Sequence, residues 1–410
     1  IYVLDTNQVG DNPLIEWVSP DDDWRSVDVG DFNNDGDMEI IAIGGGQVEE
    51  EDDTNEDGKM VIYDPVVRTG EGGLSEINGV PWKELYRTSI PGKPELIKAG
   101  NFDPNLPGDE FLVGFKMHDD VKEKDDDVFR SEVYKSSTPN PDGTQWQLHI
   151  DPKHDGNAWT YVTSGDLGDG GPDEVGLIDD DGGEVSIYRL TDGWRQRIYS
   201  ESSSNDPYRA VAFGDFFEGP YEEVFISRNV SRAPSLFYMR YFPGEDPELQ
   251  EDRHEIISPY PRFIFLADVN GSGDDELFFL RRSQDPRLAS RNDGPDPMPI
   301  LEEELDDDNG YKTGTGGDLD GDGKAEVIIL RDDTIRIYKN RGQSWGIDEH
   351  IVRAETNVIR AGDLDAEGGG FGPRFAFSAD QIEQAVEVGK MLQNQQYTLT
   401  NDTTEDVIGF

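Results

Sequence analysis

The sequence predicts an all-β fold, a seven-bladed β-propeller of four-stranded blades. Three observations predict it. One loop-and-strand pattern recurs seven times, four short apolar runs fill each interval, and the first strands of the chain complement the last repeat. The repeated pattern is a small residue, an Asp, an aromatic or Leu, an acidic glycine-rich loop, an acid, then an apolar strand. It reads GDFNNDGDMEIIAIG (30–44), GNFDPNLPGDEFLVGF (100–115), GDLGDGGPDEVGLI (165–178) and GDFFEGPYEEVFIS (214–227). It continues as ADVNGSGDDELFFL (267–280), GDLDGDGKAEVIIL (317–330) and GDLDAEGGGFGPRFAF (362–377). The leading positions are Asp31, Asn101, Asp166, Asp215, Asp268, Asp318 and Asp363, spaced by 70, 65, 49, 53, 50 and 45 residues.

Each unit supplies four strands. An apolar run such as 209–213 precedes the loop, and a second follows it. A third alternates, as in EVSIYRL (184–190) and TIRIYKN (334–340), which suits a pleated, half-buried surface. A fourth opens on Trp: Trp82, Trp146, Trp194 and Trp345. Glycine and proline clusters separate the runs. The last unit has only two such strands, at about 357–362 and 373–378. Residues 1–5 and 13–19 read as its third and fourth, so the ends would close the ring and cover its edges. The propeller is therefore expected over 1–378. Residues 379–410, with the helically spaced ADQIEQAVEVGKML, are expected to be a partly helical extension packed on it or linking onward.

Composition limits the function. Asp and Glu number 88 against 36 Lys and Arg, a formal net charge of -52. Such a surface repels nucleic acid and anionic membranes and attracts divalent cations or basic partners. The excess of Asp (54) over Glu (34), with only 13 Lys, also resembles proteins adapted to concentrated salt. The absence of cysteine excludes disulfides, thiol catalysis and zinc–thiolate sites. No apolar run is long enough to insert in a membrane as a helix.

The loops carry the chemistry. Calcium takes six to eight oxygens, and alternate residues of a tight turn can present them at positions 1, 3 and 5, a carbonyl at 7 and an acid at 9. Asp318, Asp320, Asp322, Lys324 (by its carbonyl) and Glu326 match. So do Asp31, Asn33, Asp35, Asp37 (carbonyl) and Glu39, and also Asp268, Asn270, Ser272, Asp274 (carbonyl) and Glu276. Weaker sets are Asp363, Asp365 and Glu367, whose ninth acid is lost to a glycine-rich insertion, and Asp103, Asn105 and Asp109 after Asn101. Gly168 and Gly170 leave the Asp166 loop without ligands, and Phe217 blocks the Asp215 loop; these read as hydrogen-bonded turns. Two to four structural calcium ions are expected. The letters Asp53, Asn55, Asp57 and Gly58 also match but fall outside the repeat register, where a solvated acidic loop is the plainer reading.

These repeats resemble the FG-GAP family, also called VCBS repeats, found in the integrin α-subunit head and in secreted microbial proteins. The resemblance spans residues 1 to about 378 and rests on the Gly-Asp-Leu-Asp-Gly-Asp-Gly core. It implies calcium in the hairpin between the first and second strands of a blade, and a ligand face opposite the calcium loops. Seven residues before the leading positions stand Trp24, Pro94, Trp159, Tyr208, Pro261, Tyr311 and Thr356. Trp24, Trp159, Tyr208 and Tyr311 are thus expected to line the mouth of the central channel as ligand-binding aromatics, with acidic loops beside them. The alternative is that they plug the channel.

The expected function is a non-catalytic, extracellular calcium-binding interaction or adhesion module. Its partner would be a protein or glycan of the cell surface or matrix. Rivals are a carbohydrate-binding lectin, a secreted polysaccharide-active enzyme or its accessory domain, and a self-assembling component of a surface layer or filament. No catalytic set is visible: the five histidines are scattered, and neither HExxH, GxSxG nor a P-loop occurs.

Overall fold

A computed structural model describes 27 strands together with residues 19–20, 23, 31–34, 38, 91–92, 101–106, 108–109, 159–160, 166–167, 171–173, 183, 203, 207, 215–216, 268–275, 318 and 322–325. Among the described residues all regular structure is β-strand. In chain order, β1 (Tyr2–Asp5) and β2 (Leu14–Val18) come first. The first sheet then takes β3 (Trp24–Gly30), β4 (Glu39–Glu49), β5 (Thr54–Pro65) and β6 (Trp82–Ile90). The second takes β7 (Lys93–Gly100), β8 (Glu110–His118), β9 (Asp127–Ser136) and β10 (Trp146–His154). The third takes β11 (Tyr161–Gly165), β12 (Glu174–Asp179), β13 (Glu184–Thr191) and β14 (Trp194–Ser202). The fourth shows three strands among the described residues, β15 (Tyr208–Gly214), β16 (Glu223–Arg228) and β17 (Leu236–Arg240). The fifth takes β18 (Pro261–Ala267), β19 (Glu276–Arg281), β20 (Gln284–Ser290) and β21 (Leu301–Glu304). The sixth takes β22 (Tyr311–Gly317), β23 (Glu326–Arg331), β24 (Thr334–Asn340) and β25 (Trp345–Ile351). Finally β26 (Glu355–Gly362) and β27 (Arg374–Gln381) join β1 and β2 in a seventh sheet, ordered β2-β1-β27-β26.

Neighbouring strands in these sheets are antiparallel, and sheets one to six follow chain order. The seventh does not: Tyr2 pairs with Phe377 and Leu4 with Phe375, so the two ends of the chain share one sheet. The first strands of the sheets pack in sequence. β3 lies against β7, β7 against β11, β11 against β15, β15 against β18, β18 against β22, β22 against β26, and β26 against β3.

The core lies between sheets. Phe32, Ile41, Ile43 and Ile62 of the first sheet interlock with Ile97, Phe111, Val113 and Phe115 of the second. Equivalent clusters join the second to the third, the third to the fourth, the fourth to the fifth and the fifth to the sixth. The second strand of each unit explains this sandwiching. β12 and β16 are buried on both faces and read as continuous apolar runs after their opening Glu, unlike the alternating third strands. Each such side chain contributes roughly 1.5–3 kcal/mol on burial.

A β-bulge recurs at one place in the first strands. The register slips between Trp24 and Ser26, Pro94 and Leu96, Tyr208 and Ala210, Pro261 and Phe263, Tyr311 and Thr313, and Thr356 and Val358. One extra residue inverts the side-chain alternation before it. Trp24, Tyr208 and the residues like them therefore share a face with the residue three positions on, not two.

Two expected boundaries move. β27 continues to Gln381, so 379–381 are strand, and the rest of the expected extension, 382–410, lies outside the described residues. Asn55, Asp57 and Gly58 lie within β5. Alternate residues of an extended strand run away from one another and cannot wrap a cation, which removes that off-register match.

Candidate metal centre

The repeated loop connects the first strand of a sheet to the second. Its recurring feature is the glutamate that opens the second strand. Glu39, Glu110, Glu174, Glu223, Glu276 and Glu326 are all buried. Each of the first five turns back to accept hydrogen bonds from loop amides. Glu39 takes those of Phe32 (2.7 Å) and Asn33 (3.3 Å), and Glu110 that of Asp103 (2.9 Å). Glu174 takes that of Leu167 (2.9 Å), Glu223 that of Phe216 (3.0 Å) and Glu276 that of Val269 (3.1 Å). The Asn33 and Asn270 side-chain amides donate to the second oxygens of Glu39 and Glu276. The same lock thus holds loops expected to bind metal and loops expected not to.

Burial sets the electrostatics. It raises Glu110 from 4.5 to about 8 and Glu276 from 4.5 to about 7, against the opposing pull of the amides. Repulsion from Asp103 and Asp109, and from Asp268 and Asp275, adds to the rise. Burial also raises Glu174, where Arg189 pulls the other way.

The fifth loop is described in full. Asp268 receives the amides of Gly271 (2.7 Å), Ser272 (3.1 Å) and Gly273 (2.8 Å), so the chain wraps around its carboxylate. The Ser272 hydroxyl donates to the Asp274 carbonyl at 3.4 Å and lies 3.3 Å from the Asp274 amide, which closes the turn locally. Gly271 and Gly273 make the turn with φ of 76° and 90°, which glycine adopts freely. The sixth loop repeats the wrap: Asp318 receives the amides of Asp322 (3.1 Å) and Gly323 (2.8 Å), and Asp322 that of Lys324 (3.0 Å). These are hard oxygen donors on a short turn, the donor chemistry of a calcium loop. Among the described residues no three His, Cys, Asp or Glu side chains already converge as a metal cage. Asp35, Asp37, Asp320, Asp363, Asp365 and Glu367 lie outside the described residues.

Two loops carry a tethered cation. Arg189 on β13 pairs with Glu174, which neutralises the loop whose Gly168 and Gly170 offer no ligand. Lys339 on β24 lies 3.1 Å from both Asp322 and Glu326. The sixth loop therefore holds an ammonium beside two of its expected ligands.

The second loop corrects one assignment. Its glutamate lock is Glu110, one residue beyond the ninth position, because this loop is one residue longer than the first, third, fourth, fifth and sixth. Asp109, expected as a ligand after Asp103 and Asn105, faces the first sheet instead. Its Oδ2 accepts the amide of Asp31 (3.0 Å), and its own amide donates to the Asp31 carbonyl (2.8 Å). Asp103 Oδ1 takes both the backbone and the side-chain amide of Asn105, at 3.1 and 3.0 Å.

The aromatic residues also depart from expectation. Trp24 is 1% exposed, Trp159 2% and Tyr208 0%. The bulge turns Trp24 and Tyr208 toward Val27 and Val211, and Trp159 packs beside Val162 in the equivalent cluster. Trp24 meets Tyr63 edge-on at 6.3 Å, donates to Ser19 Oγ at 3.0 Å and lies under the Lys59 ammonium. Rings without an open face do not stack on a ligand, so these three belong to the core. The Tyr311 side chain lies outside the described residues.

No family model matches the chain, and no curated protein matches it. Among solved structures, Sqt1 from Chaetomium thermophilum is similar over 83% of this chain and 75% of its own, at 12% identity and a TM-score of 0.49.

Proposed function

We propose that the chain is a seven-bladed β-propeller of the FG-GAP kind, a non-catalytic extracellular interaction module whose blades are tied by structural calcium. Three features support the propeller: seven small antiparallel sheets, first strands that neighbour one another in a closed sequence, and a last sheet built from both ends. The observation that carries the calcium reading is the fifth loop, where the amides of three residues fold the chain around the Asp268 carboxylate.

Asp268, Asn270, Ser272, the Asp274 carbonyl and Glu276 would hold one ion. Asp318, Asp320, Asp322, the Lys324 carbonyl and Glu326 would hold another, and Asp31, Asn33, Asp35, the Asp37 carbonyl and Glu39 a third. A bound calcium would supply positive charge where carboxylates crowd, and would cross-link the start and end of each turn. The third loop has a charge of its own in Arg189, and the second and fourth lack a full ligand set in their sequence. The partner surface is carried by acidic loops and selects a basic or cation-bridged protein or glycan.

Calcium titration by calorimetry, paired with melting in calcium and in chelator, tests this reading. Two to three bound ions and a melting temperature restored by calcium alone are expected. Stability that follows salt and ignores calcium would overturn it and assign the acidity to a saline medium.

A further inference from the structure

The residue immediately before the buried glutamate does the same thing in three sheets, and it acts on the sheet before its own. Asp109 of the second sheet brackets Asp31 of the first, accepting its amide and donating to its carbonyl. Asp173 of the third sheet brackets Asn101 of the second, at 2.9 Å to the amide and 2.8 Å to the carbonyl. Asp275 of the fifth brackets Asp215 of the fourth, at 3.0 and 2.6 Å. The bracketed residue is the leading position of the repeated loop in every case.

The glycine before each leading position makes room for this contact. A Cβ on Gly30, Gly100 or Gly214 would stand 2.9, 2.8 or 2.7 Å from the Oδ2 of Asp109, Asp173 or Asp275. The fifth-to-sixth junction is the informative exception. Ala325 replaces the aspartate, and only its amide reaches the Asp268 carbonyl, at 2.7 Å. There the glycine is replaced too, by Ala267. A Cβ at this position goes with the absence of the carboxylate, as steric exclusion requires; the converse does not hold, since Met38 stands before Glu39 while Gly362 is kept before Asp363.

We infer that Asp109, Asp173 and Asp275 are inter-sheet latches that act in one direction, so that the order of the first, second and fourth loops is set in each case by the sheet that follows. A latch fixes both backbone groups of the leading residue, and so fixes where that residue's own side chain starts. Through the Asp109 latch, cation binding at the first loop is coupled to the packing of the second sheet; this last step rests on the calcium reading.

The test is hydrogen exchange, read at single residues, on the whole chain in chelator. In Asp109→Ala the Asp31 amide should lose at least about tenfold of its protection, while the Asp103 amide, held by Glu110 within the variant's own sheet, keeps it. Asp173→Ala should release Asn101 and spare Leu167. Unchanged exchange at Asp31 and Asn101, or loss confined to the variant's own loop, overturns the latch. The double change Ala267→Gly with Ala325→Asp keeps the inference testable if the alanine variants do not fold. It should protect the Asp268 amide, and Ala325→Asp alone should not; equal protection in both would count against the steric argument. Calcium titration of Asp109→Ala then separates the two ideas. Weaker binding at the first loop supports the coupling. Native binding with a deprotected Asp31 refutes the coupling and leaves the latch. A parent protein that binds no calcium defeats the functional reading while the exchange result stands.

Discussion

Metal-free protein should lose stability as pH rises from 5 to 8, and the buried loop glutamates give the size of the loss. Glu110 moves from 4.5 to about 8 on folding and Glu276 from 4.5 to about 7. Both are raised, so the native state keeps protons that the unfolded chain has released. Stability from these groups is complete below about pH 4.5 and drains away as pH passes through the folded values. At about 1.4 kcal/mol for each pK unit, Glu110 accounts for at most about 5 kcal/mol and Glu276 for about 3. Local relaxation shrinks both, so a fall of about 5–10 °C in melting temperature between pH 5 and 8 is expected. The assay is calorimetric melting in chelator with about 1 M salt, which screens the general repulsion of an acidic surface. Glu110→Gln keeps the shape and removes the titration, so its slope should be shallower than that of the parent. Calcium, which favours the ionised form of the expected ligand Glu276, should make both slopes shallower by that group's share. A metal-free melting temperature that is level or rising from pH 5 to 8, or an unaltered slope in Glu110→Gln, would refute the reasoning.

Lys339→Met removes an ammonium 3.1 Å from two expected ligands and should tighten calcium at the sixth loop by about tenfold, seen by calorimetry. Asp320→Ala should lower the melting temperature in calcium and leave it unchanged in chelator. Trp24→Ala opens a cavity beside Trp17, Tyr63 and Trp82 and should cost about 3–5 kcal/mol by denaturant melting; a well-folded variant with lost ligand binding would restore Trp24 to a surface role. Gly30→Ala should cost more than an ordinary strand substitution, because the Asp109 carboxylate and the Phe32 ring both occupy the space of its Cβ.

The strand pattern was legible because apolar runs and glycine-rich turns are local signals. Trp82, Trp146, Trp194 and Trp345 each open a strand, and 1–5 and 13–19 supply β1 and β2 beside β27. What could not be counted was register. A bulge adds one residue without any mark in composition, so counting seven back from the leading Asp put Trp24 and Tyr208 at the channel mouth, whereas the bulge turns both into the core between sheets. A single insertion likewise made Asp109 look like the ninth-position acid when Glu110 holds that place. The latches had a sequence trace that was missed: the Asp-Glu pairs 109–110, 173–174 and 275–276, each ahead of an apolar run. Their partners lie 60 to 78 residues away, so the pair marks the residue and the fold alone identifies what it touches.

The seventh sheet places Val3 beside Ala376. A ribosome therefore delivers β1 long before β27, with the six other sheets in between. Throughout synthesis β1 and β2 must wait as a two-stranded hairpin, too small to be stable by itself and with an open edge. The six other sheets are made of strands close in sequence and can form as they emerge. Completion of the molecule is then a late, single event governed by one long-range pairing, the kind that closes slowly because its entropy is lost before its contacts are gained. Mistakes in assembly should concentrate at that seam, where the waiting hairpin of one chain can be captured by the last strands of another.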